Sequence, residues 1–327
     1  MQVKNKKIFI EIPTWLGDAV MTTPAIENIV KTYPKCELTI FGSFVSTKLF
    51  LEHPNVKTII IDNSKKEGNR YINLYKLAKR VGDVDIAFSF RKNFTTKFLL
   101  WFISSKDKYI YHRLNSNLST HQVIRYNDFI NKSLKTSLEP NKLKIYQKEN
   151  TKDKESKKLV LGINPGATYG SAKRWYPNEF ATVAIELSKI YDIKIFGGPG
   201  ETDIASDIEE ELKKANTLNY TNLAGKTSVE ELIEQISQLD LFLTNDSGPM
   251  HLAGAFNIPT VAIFGPTRHN ETNQWKNDKE FLIKLDMECA PCMKRVCPIK
   301  DESKHHACMK LITAQDVLNR LKQEGII

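Results

Sequence analysis

The sequence predicts an α/β protein made of two Rossmann-like domains facing each other across a cleft. Short apolar runs alternate with segments whose apolar residues recur at helical spacing, the pattern of parallel strands covered by helices. The alternation occurs twice, and residues 147–158 between the two sets are almost wholly polar and charged, as a linker is. At 327 residues, moreover, the chain exceeds what one hydrophobic core comfortably supports. The expected domains are 1–150 and 151–327.

In the first domain, residues 7–12 read as a buried strand and 13–18 as the loop behind it. Helical spacing of Val20, Ile26, Ile29 and Val30 then predicts a helix over 19–33, which places Gly17 and Asp18 at a strand-to-helix junction. Residues 38–42 form the next expected strand, with a helix to about 52. Further strands are expected at 56–62 and 85–90, separated by a basic helix over 71–81. Beyond Arg91 the pattern predicts a helix over 94–103, a strand at 109–111 and a helix to about 134, capped within 119–122. The linker is expected over 140–158.

In the second domain, residues 159–164 predict a strand running into the loop 165–175. A helix over 180–191, a strand over 193–196, the loop Gly197-Gly198-Pro199-Gly200-Glu201 and helices over 203–215 and 227–237 follow. Around Leu241–Thr267 the chain reads strand, helix, strand. The polar break Thr244-Asn245-Asp246-Ser247-Gly248 supplies a capping Asp246 or Ser247, and Pro249 falls at the first helical position. Free N–H groups at such a helix start favour an anion in the crevice beyond the strand. The last helix, 313–325, with Thr313 as cap, is expected either to stay with the second domain or to pack back on the first.

Hydrophobic content of 41% and charged content of 26% are those of an ordinary globular protein. Lys plus Arg (47) exceeds Asp plus Glu (38), a formal charge of +9, which suggests an anionic partner: nucleic acid, a phosphorylated metabolite or an acidic membrane surface. The basic residues are scattered along the sequence without an aromatic-rich patch, so nucleic acid is not expected. The amino terminus lacks a signal-peptide core, and no apolar run approaches the roughly 20 residues of a membrane span. A cytoplasmic location is expected, with peripheral contact to a membrane face through basic surface.

Loops at the carboxyl ends of the expected strands carry Asp18, then Thr168 and Lys173, then Glu201, then Asp246, Ser247, Gly248 and His251. Each has an ordinary alternative as a helix cap, a solvated charge or, for His251, a buried histidine with satisfied hydrogen bonds. Together they make a coherent set. Glycine turns and helix N-termini admit a pyrophosphate, Lys173 neutralises it, and Glu201 accepts hydrogen bonds from a ribose. Asp18, on the other domain, would face the reacting carbon.

The stretches Ile12-Pro13-Thr14-Trp15-Leu16-Gly17-Asp18-Ala19-Val20, Pro165-Gly166-Ala167 through Ala172-Lys173-Arg174-Trp175, and Asn245-Asp246-Ser247-Gly248-Pro249-Met250-His251 resemble signature segments of the lipopolysaccharide heptosyltransferases. The resemblance implies a GT-B fold and metal-independent, inverting transfer of L-glycero-D-manno-heptose from ADP-heptose to an inner-core acceptor on lipid A, with no cofactor. The Pro-Gly-Ala loop and the carboxyl-terminal cysteine segment resemble the heptosyltransferase II branch more than heptosyltransferase I. Carried over, Asp18 is the general base, Thr168 and Lys173 hold the donor phosphates, Glu201 the ribose, and Asp246, Ser247, Gly248 and His251 the donor end of the site. Tyr169 departs from the heptosyltransferase I pattern, which has a second hydroxyl residue after Thr168.

Four of the five cysteines, Cys289, Cys292, Cys297 and Cys308, fall within one short segment, with His305 and His306 beside them. The spacing permits a structural zinc or iron–sulfur site but fits no standard finger, and reduced thiols without metal are the expectation. The rival functions are heptosyltransferase I or III, another nucleotide-sugar-dependent GT-B enzyme or epimerase, and a basic nucleic-acid-binding protein with no enzymatic activity.

Overall fold

The computed structural model describes residues 5–66, 68–112, 119–148 and 158–327. The chain divides into two compact units, Met1–Asn150 and Thr151–Ile327.

The first unit runs β1 (Lys7–Glu11), α1 (Leu16–Met21), α2 (Thr23–Thr32), β2 (Glu37–Gly42), α3 (Phe44–Thr47), β3 (Val56–Ile61), α4 (Arg70–Val81), β4 (Asp83–Ser89), α5 (Phe94–Phe102), β5 (Ser104–Ile110) and α6 (Gln122–Leu134). Its five strands are parallel, in the order β3-β2-β1-β4-β5. The chain therefore reverses its winding direction between β1 and β4. In an open α/β sheet, that reversal opens a crevice beyond the strands' carboxyl ends. Phe9, Phe41, Ile60, Leu74, Leu77 and Leu99 fill a core between sheet and helices.

The second unit runs β6 (Leu159–Asn164), α7 (Pro177–Leu187), β7 (Tyr191–Ile195), α8 (Thr202–Lys214), β8 (Tyr220–Asn222), α9 (Val229–Ser237), β9 (Leu241–Asn245), α10 (Gly248–Ala255), β10 (Thr260–Ile263), α11 (His269–Thr272), β11 (Glu280–Ile283), α12 (Ala307–Lys310) and α13 (Ala314–Gln323). Its six strands are also parallel, in the order β11-β10-β9-β6-β7-β8, and the winding reverses between β6 and β9. The α/β expectation thus holds in both units.

The edge strands β8 and β11 are absent from the sequence reading, because three residues of Tyr-Thr-Asn and a short Glu-Phe-Leu-Ile show no strand period. The helix expected from residue 19 instead begins at Leu16, where the Ala19 N–H donates to the Trp15 carbonyl at 3.0 Å. Asp18 accordingly lies in the first turn of a short helix, not in a loop. The last helix, α13, packs on α7 and β11 and buries Val317, Leu318 and Leu321 in the second unit's core. Thr313 caps it by accepting from the Asp316 N–H.

Part of the expected linker is also packed. Leu143 is buried, the Lys144 N–H donates to Thr23 Oγ1 at 3.1 Å, and Tyr146 OH lies 3.1 Å from Glu27 Oε2. Residues 149–157 of that stretch lie outside the described residues. Among the described residues no helix is long and apolar enough to cross a membrane.

Candidate active site

In the first unit, the two strands flanking the winding reversal both end in buried polar residues. Ser89, closing β4, donates from Oγ to Glu11 Oε2 at 2.5 Å, and Glu11 closes β1. Arg91, just beyond β4, places its guanidinium 3.3 Å from Glu11 Oε1 and 3.9 Å from Asp62 Oδ2. Burial pushes the Glu11 carboxyl above its ordinary range, while Arg91 and the hydrogen bond from Ser89 pull the other way. Asp18 is half-buried in α1, a favourable place for a carboxylate at a helix N-terminus.

The second unit repeats the device at its own reversal. Asn164 closes β6 and Asn245 closes β9, and both are buried. Asn245 accepts from the Trp175 N–H at 3.0 Å and donates to the Pro165 carbonyl at 2.7 Å, so one side chain clamps both ends of the loop 165–175. Asn164 donates to the Gly166 carbonyl at 3.2 Å and to Ser247 Oγ at 3.4 Å. The Trp175 indole, fully buried, donates to the Ile312 carbonyl at 2.8 Å and fixes the loop's far end.

That loop delivers Lys173. Its Nζ lies 2.5 Å from Asp246 Oδ2, and the same carboxylate oxygen accepts from Thr267 Oγ1 at 2.6 Å. Asp246 is nearly buried (5% exposed), whereas Lys173 retains 13%. The cation is therefore held from behind by a carboxylate with little contact with solvent. Lys173 also sits 4.8 Å from the centre of the Tyr169 ring, and Arg295 lies 5.3 Å from the same ring.

The capping expected of Asp246 or Ser247 is not what these residues do. Ser247 occupies the N-cap of α10, but its hydroxyl lies 3.0 Å from Thr244 Oγ1 and accepts from Asn164, and no side chain caps the helix. The N-terminal N–H groups of α10 are thereby left to a ligand or to water. Gly248 opens α10, and His251 lies one turn further in, buried.

Glu201 ends a 3-10 turn after β7. Its Oε2 accepts from the Gly198 N–H at 2.8 Å, while Oε1 is buried without a hydrogen-bond partner among the described residues. Its carboxyl rests on Gly166, where any Cβ would fall 2.1 Å from the carboxyl carbon, so the loop carrying Lys173 passes directly against Glu201. The structure thus brings together Lys173, Asp246, Ser247 and Gly248, with Glu201 abutting their loop. Thr168 is exposed on that loop.

A sequence model of glycosyltransferase family 9 (heptosyltransferase) matches residues 103–302. The chain is 42% identical over 320 residues to a lipooligosaccharide heptosyltransferase 2 of Campylobacter jejuni, covering 97% of each chain. The chain belongs to glycosyltransferase family 9, the heptosyltransferases. It is 25% identical to the lipooligosaccharide heptosyltransferase 2 of Haemophilus influenzae, over 85% of this chain and 88% of that one. Its fold matches that of Escherichia coli ADP-heptose lipopolysaccharide heptosyltransferase II with a TM-score of 0.77, at 23% identity over 97% of this chain and 98% of the other. The GT-B expectation is met by that likeness.

In this heptosyltransferase, sequence reasoning missed Thr267, Asn164, Asn245 and the pair Glu11–Arg91. A signal for one of them stands in the sequence: Asn164 is a lone polar residue ending an otherwise apolar strand, Leu-Val-Leu-Gly-Ile-Asn. Thr267 had none, because only the fold brings it to Asp246.

The cysteine segment buttresses the same loop. Cys289, Cys292, Cys297 and Cys308 line a small cavity of about 40 Å³ together with His306 and Ala172. The Arg295 carbonyl accepts from the Ala172 N–H at 3.0 Å, and His306 Nε2 lies 2.9 Å from the Ala172 carbonyl. Burial, with the other three thiols nearby, pushes the Cys308 thiol up to about 11. Among the described residues no group of His, Cys, Asp or Glu is arranged to hold a metal ion.

Proposed function

We propose that this heptosyltransferase transfers L-glycero-D-manno-heptose from ADP-heptose to the heptose already present on a lipid A inner core, inverting the anomeric centre without a metal. The observation that carries the reading is Lys173, gripped by buried Asp246 beside the uncapped N-terminus of α10 at the winding reversal of the second unit. A diphosphate there meets a fixed cation and oriented N–H groups, the two elements that stabilise a departing ADP. The likeness of 42% over nearly the whole chain to a lipooligosaccharide heptosyltransferase 2 supports the same donor and acceptor class.

In this reaction an acceptor hydroxyl attacks the anomeric carbon, Asp18 takes its proton, and the bond from that carbon to the diphosphate oxygen breaks with its electron pair leaving on ADP. Lys173, the α10 N-terminus and Thr168 receive the developing phosphate charge. Glu201 receives a ribose hydroxyl, a donor that fits its buried, unpartnered Oε1. Asp246 acts through Lys173, which it positions, while Ser247, Gly248 and His251 form the donor end. The enzyme works in the cytoplasm, against the inner face of the inner membrane, where its anionic acceptor is displayed.

The test is release of ADP from ADP-heptose with three acceptors: one lacking heptose, one carrying a single heptose and one carrying two. Turnover confined to the singly heptosylated acceptor, unaffected by EDTA and giving the inverted anomer, is expected. Preference for the acceptor lacking heptose would assign the first transfer instead.

A further inference from the structure

Residues that are scattered in the sequence converge on one face of the first unit, formed by α4 and α5. Helical spacing turns Tyr71, Ile72 and Tyr75 outward from α4 while Leu74, Leu77 and Ala78 face the core. On α5, Phe94 and Trp101 are 68% and 81% exposed, and Ile72 on the neighbouring helix is 55% exposed. The rings form one continuous surface: Tyr71 packs edge-on against Phe94 (6.2 Å between centroids) and Phe98 (5.1 Å), and Tyr75 against Phe102 (5.0 Å). So many large apolar side chains left in water on adjacent helices mark an interaction surface.

The charges on this face have one sign. Arg70, Lys76, Lys79 and Arg80 lie on α4 and Lys97 on α5, and neither helix contains an Asp or Glu. The Lys79 ammonium lies 5.5 Å from the Tyr75 ring centre. Aromatic rings that seat at the headgroup level, ringed by long basic side chains, are the pattern of a helix pair lying on an anionic bilayer. A second copy of the chain fits badly, because a two-fold contact would set this basic face against itself.

We propose that the α4–α5 face docks the enzyme on an anionic phospholipid surface, with Trp101, Phe94 and Ile72 entering the headgroup region and Lys76, Lys79 and Arg80 pairing with lipid phosphates. This rests on the reading of a lipid-anchored acceptor. Both helices start at the carboxyl edge of the sheet, α4 after β3 and α5 after β4, so the face reaches the rim on which Arg91 and the β1–β4 crevice open. A glycan rising from the bilayer meets that rim.

The full-length enzyme is tested by co-sedimentation with vesicles of phosphatidylglycerol or of phosphatidylcholine, alongside ADP release with a delipidated, singly heptosylated acceptor. Wild type is expected to prefer the anionic vesicles and to release them as salt is raised. The exposed double variant F94A/W101A and the charge-reversal variant K76E/K79E/R80E are each expected to bind them about tenfold or more weakly. Both should turn over the delipidated acceptor like wild type. Wild-type vesicle binding retained by both variants, no binding of anionic vesicles by wild type, tighter retention on a single-stranded oligonucleotide, or a wild-type oligomer that the variants dissolve would each overturn the proposal. Failure of wild type to use the delipidated acceptor counts against the proposed function and leaves the vesicle result to decide the docking face.

Discussion

At the scale of the residue, the site turns on how Lys173 is held. A lysine at the end of a flexible stem gains little from being charged unless something fixes it, and Asp246 does so from a nearly buried position, itself steadied by Thr267. Lys173→Ala should therefore weaken ADP binding about 10- to 100-fold, the value of one or two charge-assisted hydrogen bonds. Asp246→Asn should weaken it in the same direction with Lys173 intact, and calorimetric titration measures both. Glu11 sets a second expectation. Its folded carboxyl titrates above its ordinary 4.5, chiefly because it is buried, so the folded protein holds a proton that the unfolded chain releases first. The resulting stability is fully present below 4.5 and is lost as pH rises through the raised value. Urea midpoints followed against pH should fall more steeply for wild type than for Glu11→Gln, and parallel curves would show that Glu11 contributes no such slope.

At the scale of the element, strands ending in buried polar residues join the sheets to their sites. Asn245 shows what this costs and gives: an amide at the end of a five-residue buried strand spans from the Trp175 N–H to the Pro165 carbonyl and so determines where Lys173 stands. Asn245→Ala strands both backbone groups, and a loss of about 1–3 kcal/mol in unfolding free energy is expected, together with weaker ADP binding by a protein lacking no ligand-contacting group. A variant with unchanged stability and affinity would mean the loop is held elsewhere. The strands and helices themselves were largely legible, since 3.6-residue and short apolar periods survive in any sequence that must bury one face. The start of α1, its break from α2 at Thr22, the first part of β5 and the strands β8 and β11 were not, because short elements and element ends are decided by hydrogen bonding to neighbours that periodicity cannot see.

At the scale of the whole molecule, the proposed function has two units of the same parallel construction divide the labour of one reaction, the donor going to the second and the proton acceptor to the first. The loops that matter could be located from sequence because they follow strands, and their family resemblance is specific. The contacts each residue makes within them could not. Asp246 read as a helix cap or as part of the donor end, but its contact with Lys173, 73 positions away, is made only by the β6–β9 pairing. The tying of the cysteine segment to the Lys173 loop was hidden for the same reason. The division of labour is tested most directly by Asp18→Asn, assayed in parallel for heptose transfer and for ADP binding. Removal of a general base from an otherwise intact donor site should lower turnover by about 10²- to 10⁴-fold while the ADP dissociation constant stays that of wild type. Turnover near the wild-type rate, or an equal loss of ADP affinity, would contradict it.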